Sequence, residues 1–474
     1  MPHPASFTSL LAHHRTLLLQ GPMGPFFSRL AAYLEAHGQS VYKVNFNGGD
    51  RWFYRRRRAQ DYVGRPEDWP AWLRHLLILK RIDAIVLFGQ GRPIHVAARQ
   101  VAEELKLKVY VFEEGYLRPD YVTLEAGGVN GYSRVPRDPA FYRALPPRRT
   151  SPPKPTGQHF TGMALQAITY FLAAALWKPR FPHQVYHRSL NPFTEGLCWL
   201  RGGVRKLLHG WQQRHLLDQL SAPGRSGQWF LLPLQVHNDS QILHHSPYRS
   251  IEAVIEDVIA SFARHADPQH WLVIKHHPMD RGHTDYGDFI RHTALAFNVA
   301  ERVLYVHDLH LPTLLKHARG VVTVNSTTGL QALFHRTPVA ALGECFYAIE
   351  GLVRRPPLAA FWRDPGRVDA ELFQRLRHYL VRHTQLNASF YADTPALRVP
   401  SLKLVRRRGP RDEGPATMIS QPAPLAALPE PLQAVPARPV QEETATPQAN
   451  DGAAETPAAP GTPGWSRTQP FRLQ

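Results

Sequence analysis

Short apolar segments alternate with helical segments along most of the chain, and this alternation constrains the fold more than any other feature. Residues 41–44, 84–88 and 271–274 are three such segments, and each stops at polar residues, glycine or proline. Apolar runs of this length, separated by amphipathic helices, are typical of βαβ units. The pattern therefore predicts an α/β protein with parallel sheets.

The alternation occurs in two separate stretches, which predicts two Rossmann-like, doubly wound domains. Residues 1–150 form the first domain and residues 226–400 the second. A proline-rich stretch opens the linker between them, residues 151–225. Residues 401–474 are rich in proline and alanine and lack periodic apolar positions, so we predict a disordered tail.

The predicted linker carries two helical segments that suit a membrane surface. Residues 162–177 are almost wholly apolar but shorter than the roughly 20 residues that a spanning helix needs. Residues 200–220 set basic residues among leucines and Trp211. A basic amphipathic helix bearing tryptophan can lie on anionic lipid. A packed pair of interdomain helices explains the same pattern equally well.

The chain has 474 residues and a formal net charge of +18, which suits an anionic partner. Nucleic acid, an anionic membrane and a phosphate- or carboxylate-bearing substrate all fit the charge. The arginine run at residues 55–58 could contact nucleic acid or lipid phosphate, or form a solvated basic face. Because no helix-turn-helix, zinc or RNP-type motif is present, we do not expect nucleic acid as a partner.

The two cysteines and the first residues indicate the compartment. Cys198 and Cys345 are far apart and form neither a metal-binding spacing nor a disulfide framework. The apolar run at residues 17–19 is too short for the apolar region of a signal peptide. We therefore expect a cytoplasmic protein.

Three strand ends of the second domain carry polar residues that suit an anion. The carboxyl ends of neighbouring parallel strands share one edge of the sheet, where open α/β sheets bind ligands. Hydroxyls, backbone N–H groups, lysine and histidine favour a phosphate there, whereas a polar loop and a plain N-cap are the alternatives. The candidate residues are Gln235, Gln241, Lys275, His276, His277, Pro278, Asn325, Ser326, Thr327, Thr328 and Gly329.

Asp239 is the acidic residue of this edge. A carboxylate beside a phosphate leaving group weakens anion binding, but it can act as a nucleophile toward a sugar carbon or as a base. His307, Asp308 and His310 follow the next strand, but their spacing does not require a metal, and we predict no metal site.

A glycine- and proline-containing loop follows the first strand of the first domain. Gly21 and Gly24 lie in this loop, which is neither a GxGxxG nor a P-loop motif. Close approach of an acceptor and a plain tight turn explain the glycines equally well.

Four segments together resemble the capsule polysaccharide Kdo transferases of Gram-negative bacteria, of the KpsS type and related to KpsC modules. They are residues 112–119 (FEEGYLRP), 234–241 (LQVHNDSQ), 275–278 (KHHP) and 324–329 (VNSTTG). Each is weak alone, but their order and context are fairly specific. The resemblance covers most of residues 15–400.

The resemblance implies a GT-B-like fold, with two Rossmann-like domains that face a cleft, and a retaining glycosyltransferase. The implied donor is CMP-β-Kdo, with no further cofactor, and the implied acceptor is lyso-phosphatidylglycerol. His277 and residues 326–328 would hold the CMP, and Asp239 would be the nucleophile. Glu113 and Glu114 are the alternative acid/base pair, and Gly115 and Arg118 are candidate acceptor residues with Gly21 and Gly24. The resemblance further implies a peripheral location on the inner membrane, with other capsule assembly proteins as partners.

Two other functions remain open from the sequence. Another CMP-sugar transferase, such as a sialyltransferase, would share the donor site and differ in the acceptor. A non-catalytic capsule export component would bind polysaccharide or lipid, and it would tolerate loss of the Asp239 carboxylate.

Overall fold

The computed structural model describes residues 3–146, 151–157, 160–186, 192–237, 242 and 245–399. The predicted tail, residues 401–474, lies outside the described residues, and so do Asp239 and Gln241. Within the described ranges the strands form a seven-stranded and a six-stranded sheet.

The first sheet has the strand order β13-β6-β5-β4-β1-β2-β3. Its central strands are parallel, whereas β6 runs antiparallel to β5, and β13 runs antiparallel to β6. The strands are β1 (Arg15–Leu18), β2 (Ser40–Asn45), β3 (Ala59–Asp61), β4 (Ala84–Phe88), β5 (Lys108–Glu114), β6 (Val122–Ala126) and β13 (Gln385–Leu386).

The second sheet is parallel throughout its described pairs and has the order β12-β11-β10-β7-β8-β9. Its central strands are fully buried, as their apolar sequences predict, because helices cover both faces. The strands are β7 (Trp229–Pro233), β8 (Trp271–Lys275), β9 (Val303–Val306), β10 (Gly320–Thr323), β11 (Val339–Ala341) and β12 (Val353–Arg354).

Helices connect the strands and flank both sheets. Those before the second sheet are α1 (Ala5–Leu11), α2 (Phe26–Ala36), α3 (Gly48–Phe53), α4 (Trp69–Leu79), α5 (Pro93–Glu104), α6 (Pro139–Ala144), α7 (Phe160–Leu176), α8 (Pro192–Gln212) and α9 (Leu216–Ser221). Those that follow are α10 (Ile251–His265), α11 (Gly287–Ala296), α12 (Leu311–His317), α13 (Thr328–Phe334), α14 (Ala359–Arg363) and α15 (Ala370–His383).

The end of the predicted second domain belongs to the first sheet. After α15 the chain returns, and β13 pairs with β6 through Gln385 and Thr123. Phe390 then packs into the first core, with its ring centroid 4.8 Å from that of Phe26. Two lobes, one with a mainly parallel sheet and one with a parallel sheet, and a returning carboxyl-terminal segment form the GT-B-like architecture, so the predicted fold class is confirmed.

The linker helices pack on both lobes. The hydroxyl of Tyr170 on α7 donates to Asp50 at 2.9 Å, and a Cβ at Gly49 would lie 2.6 Å from the Tyr170 ring, so glycine permits this contact. From α8, Arg201 Nε donates to the carbonyl of Gly282 at 2.6 Å. The segment predicted as one helix, 200–220, is divided between α8 and α9.

The same two helices leave one apolar face in solvent, here named the apolar helix face. Its residues recur at three- and four-residue intervals, so each helix turns a single stripe outward. They are Leu165, Ile168, Leu172 and Leu176 on α7 and Leu197, Leu200, Val204, Leu207, Leu208 and Trp211 on α8. In the described ranges, no helix combines the length and hydropathy needed to cross a bilayer.

Candidate functional site

Three neighbouring strands of the second sheet end at one edge and bring the predicted loops together. β7 lies between β10 and β8, and Pro233 is in register with Lys275. Beyond the strands, Gln235 Nε2 donates to Asn325 Oδ1 at 3.2 Å, which joins the first loop to the third. The described residues of the predicted anion site therefore lie side by side.

The His–Pro loop, residues 276–280, follows β8 at one side of these three strand ends. His277 is half-buried, and its Nδ1 accepts a hydrogen bond from the backbone N–H of Met279 at 3.2 Å. Burial, and secondarily the charge of Lys275, lowers the pKa of His277 to about 4. Arg118 of the first lobe contributes in the same direction. His277 is therefore neutral at pH 7, chiefly because of its burial.

Lys275 and His276 point into the protein. Lys275 is buried, and its Nζ donates to the carbonyl of His307 at 2.8 Å. Burial lowers the pKa of Lys275 to about 8. His276 is 2% exposed and shares a 2.6 Å hydrogen bond between its Nδ1 and the hydroxyl of Tyr305. Both side chains thus support the loop from the protein interior. Their predicted contact with a phosphate stays a prediction.

Asp280 and His237 form a pair that the sequence did not indicate. Asp280 is 1% exposed and accepts from the backbone N–H of His237 at 3.0 Å and from its Nδ1 at 2.5 Å. The His237 side chain remains 42% exposed at the cleft edge. A buried carboxylate that fixes an exposed imidazole can orient it for proton transfer or hydrogen bonding. The available signal was an acid two residues after His-Pro.

The Ser/Thr loop is held by a tyrosine from a later segment. Tyr347 donates its hydroxyl hydrogen to the carbonyl of Ser326. Ser326 Oγ accepts from the backbone N–H of Thr328 at 3.2 Å, and α13 begins at Thr328, whose N-cap residue Thr327 makes no side-chain cap hydrogen bond. A Cβ at Gly329 would lie 2.4 Å from the Tyr347 hydroxyl, so this glycine permits the packing. Thr327 and Thr328 are half-buried beside it.

Glu113 and Glu114 close strand β5 of the first lobe. They pair with Thr123 and Val122 of β6, so they lie in a strand and not in a loop. Burial, followed by the charge of Glu114, raises the pKa of Tyr391. The two carboxylates therefore lie near Tyr391, a residue of the returning segment.

Gly115 and Arg118 shape the turn after β5. A Cβ at Gly115 would lie 2.1 Å from the carbonyl oxygen of Tyr121, so only glycine fits this turn. Arg118 Nε donates to the Gly115 carbonyl at 3.2 Å. This hydrogen bond fixes Arg118 at the turn that follows β5.

A buried acid, Glu125 on β6, supports the same turn. The hydroxyl of Tyr116 donates to its Oε1 at 2.7 Å, and Ser133 Oγ donates to its Oε2 at 2.6 Å. Burial raises the pKa of Glu125 to about 7 despite these bonds. The Tyr116 ring stacks on Phe346 of the second lobe, with centroids 4.1 Å apart. Glu125 therefore anchors a direct contact between the lobes.

Gly21 and Gly24 have packing roles in the structure. A Cβ at Gly21 would lie 2.8 Å from the Phe27 ring, and one at Gly24 would lie 2.1 Å from Gln166 Oε1. Gly24 also has φ +118°, a conformation that favours glycine. The tight-turn explanation accounts for both residues, and an acceptor contact stays a prediction.

The loop after β9 carries three residues that the sequence analysis considered as metal ligands, namely His307, Asp308 and His310. Asp308 is paired with Arg281, and His310 Nδ1 lies 2.9 Å from Thr313 Oγ1. His307 stacks on His209, with ring centroids 3.6 Å apart. Within the part of the chain that the structure describes, no group of three or more His, Cys, Asp or Glu side chains could hold a metal ion.

Comparison with known proteins gives one family and several relatives. The model of the family described as "Capsule polysaccharide biosynthesis protein" matches residues 83–391. The chain is 43% identical over 389 residues to the capsule polysaccharide export protein KpsS of Escherichia coli, covering 81% of this chain and 99% of that protein. It is 39% identical to the capsule polysaccharide modification protein LipB of Neisseria meningitidis serogroup B, covering 79% and 91%.

Among solved structures, the fold is similar to that of KpsC from Thermosulfurimonas dismutans, a beta Kdo 2,7 transferase. The TM-score is 0.37 at 14% identity, over 77% of this chain and 89% of that one. The family match and the two relatives cover the strand-end loops described above. This chain belongs to the capsule polysaccharide biosynthesis protein family.

Proposed function

We propose that this chain is a retaining glycosyltransferase of capsule biosynthesis, which moves β-Kdo from CMP-β-Kdo to lyso-phosphatidylglycerol. The observation that carries the proposal is the convergence of the strand-end loops of the second sheet, where Gln235 bonds to Asn325 and Asp280 fixes the exposed ring of His237. A cleft between two Rossmann-like lobes is where such folds bind their ligands. Similarity to KpsS and LipB supports a role with the capsule polysaccharide.

The donor fits the strand-end edge of the second lobe. His277 and the hydroxyls of Ser326 and Thr328 would contact the phosphate of CMP, as hydrogen-bond donors of the kind that phosphates favour. Because His277 is neutral at pH 7, it would offer one N–H and no fixed charge. Arg118 would supply positive charge from the opposite side of the cleft.

The chemistry would proceed by two displacements at the anomeric carbon. A carboxylate oxygen of Asp239 attacks this carbon, and CMP leaves with the electron pair of the broken C–O bond. The acceptor hydroxyl oxygen then attacks the same carbon and displaces Asp239, while Glu113 or Glu114 takes the hydroxyl proton. Two inversions give net retention. Asp239 lies outside the described residues, so its role rests on the sequence.

A peripheral location at an anionic membrane completes the proposal. The apolar helix face is exposed on both linker helices and suits insertion among lipid headgroups. At the end of α7, Arg55 lies over the Trp52 ring at 4.1 Å, and Arg51 lies over the Trp177 ring at 5.2 Å. Arg51 is also paired with Asp61, so Arg55, over the exposed ring of Trp52, is the arginine that would contact lipid phosphate.

The decisive experiment is product analysis with the purified full-length chain. CMP-Kdo generated in situ and a lyso-phosphatidylglycerol analogue should yield a product heavier by one Kdo residue, with β configuration by NMR. The Asp239→Asn variant should give no product. A parallel reaction with CMP-sialic acid separates the related transferases. Absence of product with an active CMP-Kdo supply, or full activity of the Asn variant, would contradict the proposal.

A further inference from the structure

An apolar cavity of about 390 Å³ lies between the two linker helices and the candidate site. Helix α7 contributes Met163 and Ala164, and helix α8 contributes Gly203. Met279 of the His–Pro loop and Tyr391 of the returning segment line the same cavity. Parts of the linker, the first lobe and the second lobe therefore enclose one space.

The walls combine apolar side chains with a few cations. Arg92 is 7% exposed and donates to Gln20 Oε1 at 2.9 Å, which fixes it at the wall. Arg281 is paired with Asp308. Lys206 is exposed, with its Nζ 5.7 Å from the centroid of the Phe160 ring. Apolar walls bordered by cations suit a ligand with an apolar body and an anionic head.

The position of the cavity relates the membrane-facing surface to the chemistry. Phe160 and Trp199 line it and are 69% and 41% exposed, beside the apolar helix face. His283 also lines it, and the His283 ring centroid is 5.7 Å from that of His237. The cavity therefore extends from the exposed linker helices to the cleft edge.

We infer that this cavity binds the single acyl chain of the lipid acceptor and so delivers its head group to the cleft edge. This inference rests on the proposed function. A volume of about 390 Å³ lies near the lower end of ligand pockets, which span roughly 300–1,000 Å³, and so suits one chain better than the two of a bilayer lipid. An unbranched chain gains stability from apolar walls in proportion to the area it buries. The nearby cations favour an anionic head.

The test narrows the cavity from each of the two linker helices. Ala164→Phe adds a ring on α7. Gly203→Leu adds a side chain on α8 where a Cβ would meet nothing within 4 Å. The control is Thr161→Phe, which adds the same ring to an exposed position of α7 outside the cavity lining. A cooperative thermal transition near the Tm of the parent checks that each variant is folded, and Gly203→Leu carries the test if Ala164→Phe fails this check.

The first readout is binding of a fluorescent lyso-phosphatidylglycerol to the full-length protein below its critical micelle concentration. Both cavity variants should bind it about tenfold more weakly, which is the loss of roughly two buried methylene groups. Thr161→Phe should bind as the parent does. Equal affinity of all four proteins would overturn the inference.

The second readout separates this inference from the proposed function. In the transfer assay, the cavity variants should raise KM for a long-chain acceptor and leave unchanged the reaction with glycerophosphoglycerol, which has no acyl chain. If the parent transfers no Kdo but binds the fluorescent lipid in a cavity-dependent way, only the proposed function fails. If transfer occurs and KM shows no chain-length dependence in any protein, only the cavity assignment fails.

Discussion

Asp280 holds His237 by two hydrogen bonds, one to its backbone N–H at 3.0 Å and one to its imidazole Nδ1 at 2.5 Å. The carboxylate is 1% exposed, whereas the imidazole reaches the cleft. This relationship joins two strand-end loops that are 43 residues apart in the chain. The buried Asp280 carboxylate therefore sets the orientation of the His237 imidazole at the cleft.

Asp280→Asn should lower kcat by roughly 10- to 100-fold, because the imidazole loses the anionic partner that orients it. KM for CMP-Kdo should change less than kcat. His237→Gln should have a similar effect, and the double variant should be no worse than the poorer single one, as for residues that act as a unit. Asp288→Asn, at an exposed position of α11, is the matched control. Additive losses would show that Asp280 does not act through His237.

His277→Gln should keep CMP affinity within about tenfold of the parent, whereas His277→Ala should lose more. The pKa of about 4 makes His277 neutral at pH 7, so its contact with phosphate would be that of an N–H donor, which glutamine can replace. Isothermal titration calorimetry with CMP at pH 7 measures both variants. Equal losses in the two variants would mean that charge or ring shape is what His277 supplies.

Glu125→Gln should change how stability depends on pH. The folded-state pKa of about 7 lies above the ordinary glutamate value of 4.5, so between these values the folded protein retains a proton that the unfolded chain has lost. The parent therefore loses stability as pH rises through this window, by at most about 3 kcal/mol. Glutamine does not ionise. The free energy of unfolding of the variant minus that of the parent should therefore increase from pH 4.5 to pH 7. Urea unfolding at several pH values measures the difference, and a constant difference would contradict it.

Leu207→Gln together with Trp211→Gln should reduce binding to anionic vesicles. Both side chains are exposed, at 76% and 68%, so their removal should leave Tm nearly unchanged while removing apolar area that inserts into lipid. Flotation with vesicles that contain phosphatidylglycerol measures the effect. Ile78→Gln with Leu79→Gln, on exposed residues of α4, is the control pair. Equal flotation of both double variants would show that the apolar helix face does not bind the membrane.

The fold was predictable where burial acts through the local pattern. Strands β4, β7 and β8 are apolar runs between turn residues, and their sequence alone marks them. β3 and β6 were not predicted because polar residues interrupt them. Glu125 in β6 is accommodated by hydrogen bonds from Tyr116 and Ser133, partners that no local pattern shows.

The candidate site was predictable to the level of its loops. Parallel topology alone requires Gln235, His277 and Ser326 to follow strands that end at one edge. The direction of each side chain was not predictable, since it depends on tertiary contacts. Lys275 faces the carbonyl of His307, and Asp280 faces His237, each through partners at least 32 residues away.

The return of the chain to the first sheet has a consequence for dissecting this protein. Residues 1–225 expressed alone would lack β13 and Phe390, so the outer edge of β6 would be left unpaired and the cluster around Phe26 would be open. Such a fragment is expected to aggregate and would misreport the properties of the amino-terminal half. A circular permutant that begins at residue 226 and joins residue 399 to residue 3 would keep every strand with its neighbours and separate the halves only at the linker.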